Sequence, residues 1–195
     1  MKRINILLFS CFLFFFFSCS SSPKRAMLVT DTSDAAANFY DIANGELVSG
    51  QIESAGGHLQ QAYNLAMSVD DADLLCRISL SAIIYKLNLK NENLYEIDPV
   101  TQLPKMIQDI SADTPFYGLS ANDLLNLAKT YSSRSNNPDM FSCVCSLYEI
   151  RIKLAQNETL DVNSLVSKMK SEEKYLSKEP YYLAFMYRTQ GNVYA

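Results

Sequence analysis

The chain of 195 residues has a single histidine, His58. Any catalysis that pairs histidine with a cysteine or serine nucleophile would have to pass through it, and nothing near it reads as the strained turn that presents a nucleophile. The sequence therefore reads as a non-enzyme with no catalytic residue, no cofactor and no metal site. Glycine and proline are sparse at six each, which excludes a fibrous or low-complexity chain. Positive charge is also limited. Seventeen Lys and Arg face 21 Asp and Glu, for a net charge of −4, and no basic patch stands out, which argues against a nucleic-acid partner. Around Asp70-Asp71-Ala72-Asp73 there is no glycine-centred calcium-loop pattern, so these acids read as capping groups for the next helix rather than as a cation site.

What is present is apolar and aromatic: 48% of the residues are hydrophobic, with twelve Tyr and ten Phe. That is too much for a disordered chain and enough for one globular domain with a short appendage. The organising stretch is Ser54 to Leu89, which reads as a helical hairpin. In its first arm Leu59, Ala62, Tyr63, Ala66 and Val69 recur at steps of three and four and form one stripe. In its second arm Leu75, Ile78, Ala82, Tyr85 and Leu89 form one stripe, and Leu80, Ile84 and Leu87 another. A helix that is apolar on two sides needs a neighbour on each. The expected fold class is therefore all-α, with antiparallel helical hairpins stacked as a short α-solenoid.

The amino end has a different pattern. Met1-Lys2-Arg3 is followed by an apolar run from Ile4 to Phe17, and then by Ser18-Cys19. The run is shorter than the roughly 18 apolar residues needed to cross a bilayer. This stretch resembles the signal of bacterial lipoproteins, in which a small residue precedes a cysteine that is acylated and the peptide before it is removed. The resemblance implies a signal peptide over 1–18, with lipidation at Cys19. Cys11 is a poorer site, because acylation there would leave Phe12 to Phe17 in water. Cleavage removes Lys2 and Arg3, leaving 15 basic against 21 acidic residues, a net of −6. The resemblance implies that lipid, including palmitate, then anchors the protein to the bacterial cell or outer membrane, facing periplasm or cell surface. Each buried CH₂ contributes about 0.8 kcal/mol. Residues 19–31 are expected to form the lipidated cysteine and a polar tether, and 32–195 the helical domain.

Within that domain a first helix is expected from Ser33 or Asp34, either of which can cap it, with a break between Ser49 and Gly57. An irregular connection occupies about 88–118, with a short helix expected over Leu103 to Ala112. Ser120-Ala121-Asn122-Asp123 gives a capping-box start to the next helix, and Asn137-Pro138 starts another. Further helices are expected over Asp161 to Ser177 and from Pro180.

Tyr187, Gly191 and Tyr194 stand at the spacing W-x-x-L-G-x-x-Y, and Ala62 to Asp71 reads as the second helix and exit of a repeat. These fragments resemble the tetratricopeptide repeat. The resemblance implies a concave surface that binds peptides or proteins. In such a repeat, Tyr187, Gly191 and Tyr194 form the face that receives the following helix, and no such helix follows here. That face is therefore the expected site of self-association or of a protein partner. The expected function is a membrane-anchored, non-enzymatic protein-interaction scaffold of the bacterial envelope. The rival is a ligand-handling or partner-docking subunit of an envelope transporter, with a pocket lined by Tyr63, Tyr85, Tyr131 and Tyr148; less favoured still is an envelope enzyme. Cys143 and Cys145 point about 200° apart on their helix, and Cys76 is free to pair with either.

Overall fold

A computed structural model describes residues 24–89, 95–97, 104–106 and 115–194. Seven helices lie among them: α1 (Lys24–Ser49), α2 (Ile52–Val69), α3 (Ala72–Asn88), α4 (Ala121–Ser132), α5 (Pro138–Ala155), α6 (Val162–Leu176) and α7 (Pro180–Tyr194). Each packs on the next in sequence, and β1 (Tyr95–Ile97) and β2 (Pro104–Met106) form an antiparallel ribbon in the connection between α3 and α4. The fold is all-α and helical-repeat-like, and no described helix is long and apolar enough to cross a membrane.

The junctions follow from local chemistry. Gly50, at φ 80°, turns the chain between α1 and α2, a conformation that costs glycine little. Asp71 caps α3, its Oδ1 accepting the Leu74 N–H at 3.0 Å. Ser120 and Asp123 form a reciprocal capping box at the start of α4. Asn137 caps α5, which has Pro138 at its first position, and Asp161 caps α6.

Three expectations are corrected. α1 starts at Lys24, so residues 24–31 are helix rather than tether, and neither Ser33 nor Asp34 is a cap. Ser33 instead donates to Asp71 Oδ2 at 2.6 Å, tying α1 to the start of α3. Within the expected helix Leu103–Ala112, Pro104–Met106 is a strand; Pro104 has no N–H to donate and sits at the ribbon's end, opposite Ile97. The other residues of that stretch lie outside those described. Ile84, placed on a two-sided packing stripe, is only half-buried, whereas Ile83 is fully enclosed. α3 is nonetheless the central helix. Every residue from Ile78 to Ile83 is buried, because α1, α2, α4 and α5 all pack on it.

The helices form two layers. α1, α3, α5 and α7 contact one another in succession, while α2, α4 and α6 make no comparably close approach to each other. Closer spacing on one side curves a stack toward that side, so the odd-numbered helices form the inner layer.

Phe116 fastens the long connection to this stack. It is buried at a left-handed φ of 54°, a strained conformation for a bulky residue. Its N–H donates to Gln60 Oε1 at 2.8 Å, and its ring packs against Tyr63 and Tyr85.

Candidate functional site

Cys19 lies outside the described residues, as does every residue of the expected signal peptide. Tyr187, Gly191 and Tyr194 come together on the outward face of α7, with Tyr187 48% and Tyr194 66% exposed. Nothing lies within 4 Å of where a Gly191 side chain would begin. Tyr187 donates to Glu173 Oε1 of α6 at 2.6 Å.

Two of the four tyrosines named for a pocket pack on Phe116, and a third reaches them through the hydroxyl of one of the pair. The Tyr63 and Tyr131 hydroxyls are 2.9 Å apart, joining α2 to α4, and Tyr85 lies against the same phenylalanine. Tyr148 stands apart in the inner layer. His58 is a fastening between α1 and α2: its Nδ1 is 2.7 Å from Glu46 Oε2 and its ring stacks on Phe39. The Ser54 hydroxyl and His58 hold the Glu46 carboxyl below the usual glutamate range.

The acids between α2 and α3 border a shallow pocket of about 360 Å³ that also includes Ser33, Arg134 and Asn136. Each acid is engaged. Asp70 pairs with Arg134, Asp71 caps α3 and receives Ser33, and Asp73 accepts from the Asn136 backbone and side chain. This is a junction between hairpins. Among the described residues no group of His, Cys, Asp and Glu is arranged to hold a metal ion.

The richest chemistry lies on the inner layer, where all four odd-numbered helices contribute. Ser81 of α3 donates to Asn44 of α1 at 2.9 Å beside Tyr40. The Arg77 guanidinium of α3 lies 5.2 Å from the Phe141 ring centre and 5.7 Å from that of Tyr182, and its Nη1 donates to Tyr182 Oη at 3.4 Å. The Arg151 guanidinium of α5 lies 5.8 Å from the Phe185 ring centre, and Tyr148 packs on the same ring at 5.0 Å.

Burial pushes the hydroxyls of Tyr40, Tyr148 and Tyr182 up, so all three remain protonated at neutral pH. Burial, with the like charge of Arg188, pulls Arg151 down, yet a guanidinium stays charged. Among the described residues no carboxylate lies within ion-pair distance of Arg77, Arg151 or Arg188. Half-buried cations, neutral phenol donors and aromatic faces on one concave layer suit an anionic group flanked by apolar surface.

The sequence reading missed this cluster. Its signal was an arginine on a buried stripe: Arg151 recurs with Tyr148 and Leu154 along α5, and Arg77 interrupts the most apolar helix. Such an arginine must find aromatic faces or an acid, and here it finds aromatic faces. Comparison of the chain with protein families, with curated proteins and with solved structures finds no match.

Proposed function

We propose that this protein is a lipid-anchored, non-enzymatic interaction module of the bacterial envelope, tethered through Cys19, whose inner helical layer receives a carboxylate-bearing segment of a protein partner. The observation that carries this reading is the pair of guanidiniums, Arg77 and Arg151, set among protonated tyrosines without a carboxylate of their own among the described residues. An acidic chain that keeps unpaired cations half-buried on one face favours an acidic ligand there over binding to anionic lipid. Tyr187, Gly191 and Tyr194 offer a second, outward face for self-association.

The test places a photo-crosslinking residue at Tyr181, which is 72% exposed, in the full chain in its native membrane, and identifies the captured protein. Binding is then measured with that purified partner. Arg151→Gln should weaken it by about tenfold or more, the worth of one charge-assisted hydrogen bond. Equal affinity of wild type and Arg151→Gln would overturn the proposal, as would capture of lipid alone.

A further inference from the structure

The search for a further site ends at the three described cysteines. All are buried and free: Cys76 on α3, and Cys143 and Cys145 on α5. They differ in what they face. Cys143 turns outward to α6, its sulfur 4.0 Å from the Glu172 carbonyl oxygen. Cys145, two residues on and so about 200° around the helix, turns inward toward α3. There its thiol is a near neighbour of that of Cys76, which donates to the Ala128 carbonyl of α4 at 3.4 Å. Two helices of the inner layer thus bring one pair of sulfurs together and leave the third elsewhere.

We propose that Cys76 and Cys145 form a reversible disulfide cross-link between α3 and α5, a covalent rung within the layer that carries Arg77 and Arg151. The sequence alone leaves Cys76 free to pair with either residue of Cys143-Val144-Cys145; the packing selects Cys145. The chemistry is thiol–disulfide exchange with a small-molecule disulfide such as oxidised glutathione. One cysteine thiolate attacks a sulfur of the oxidant, the oxidant's S–S bond breaks, and one glutathione thiolate leaves. The second cysteine thiolate attacks the protein sulfur of the mixed disulfide and expels the other glutathione. Two protein thiols lose two electrons and two protons, and one glutathione disulfide becomes two glutathione thiols. Burial disfavours the thiolate of both cysteines, while nearby Lys129 favours that of Cys145. Because both sulfurs are enclosed, exchange proceeds through local opening of the stack, and the finished bond constrains the chain over the 68 residues between them.

The experiment uses the full chain with Cys11 and Cys19 replaced by serine, so that Cys76, Cys143 and Cys145 are its only thiols. It is equilibrated in native buffer across a series of oxidised-to-reduced glutathione ratios, and read by intact mass and by peptide mapping without reduction. The expected result is a mass loss of two hydrogens, a single Cys76–Cys145 linked peptide, a free Cys143, reversal by dithiothreitol and a rise in Tm of roughly 10 °C. Cys143→Ser should form the same bond, and Cys145→Ser none. Three thiols persisting in the folded protein under oxidised glutathione would overturn the proposal, as would a cross-link that includes Cys143. The mapping of the chain that retains all three cysteines decides the matter even if Cys145→Ser fails to fold. This inference stands independently of the partner proposed above.

Discussion

Between α1, α2 and α3 the buried contacts are built largely from small residues, among them Ala36, Ala43, Ala55, Gly56, Ala62 and Ala66. Between α5, α6 and α7 they are built from Met140, Phe141, Met169, Leu176, Tyr182 and Met186. Small side chains let backbones approach and leave neighbours nowhere to go. Long flexible ones hold helices farther apart but can repack around a change. The amino-terminal half should therefore resist any gain in volume, and the carboxy-terminal half should tolerate exchange of one apolar shape for another. α3 borders both halves, so it is where a defect should reach the whole stack.

The most severe way to break that contrast is Ile83→Asp. It puts a carboxylate at a fully buried position on the shared helix, a cost of several kcal/mol against a total stability of about 5–15 kcal/mol. The variant should be unfolded or aggregated by circular dichroism and gel filtration. Ile84→Asp, one step round the helix and half-buried, should remain folded with a reduced denaturation midpoint.

A smaller effect sharpens the comparison between the halves. A side chain at Gly56 would begin 2.5 Å from the Tyr85 ring, which is itself buried at 2% exposure. Gly56→Leu must displace that ring and should cost at least about 1–3 kcal/mol in urea unfolding. Met186→Leu, in the carboxy-terminal half and equally enclosed, should cost less than about 1.5 kcal/mol. Equal losses from the two would show that the halves do not differ in this way.

The mildest change is Gly191→Leu. Space is open there and the position is inside a helix, so the monomer should gain up to about 1 kcal/mol from the lower backbone entropy of the unfolded chain. Self-association through the outer face of α7, measured by sedimentation, should fall. A stabilised monomer with unchanged association would remove Tyr187, Gly191 and Tyr194 from the interaction surfaces.

How much of this was legible depended on the range of the interaction. Helix starts were readable because a cap is chosen by residues three apart: Ser120 with Asp123, Asn137 with Met140, and Asp161 with Ser164. The start of α1 was not, because Ser33 looks like a cap until Asp71, 38 residues away, takes its hydroxyl. The turn toward β2 was hidden for the same reason, since a strand as short as Pro104–Met106 is defined by its partner rather than by its own periodicity. The outward position of Tyr187, Gly191 and Tyr194 followed from spacing along one helix. The inner cluster did not, because Arg77, Arg151 and the tyrosines become neighbours only when four helices are laid side by side.

The early start of α1 also sets a leash. Under the anchoring proposed above for Cys19, only Ser20 to Pro23 would separate the lipid from the first turn of the helix at Lys24. Four residues at full stretch reach about 14 Å, against roughly 43 Å for the twelve that a tether ending at residue 31 would have supplied. A body so anchored could not roam the width of the periplasm. It would scan a disc close to the bilayer, where a partner rooted in the same membrane would meet it at a high effective concentration and one drifting free would not.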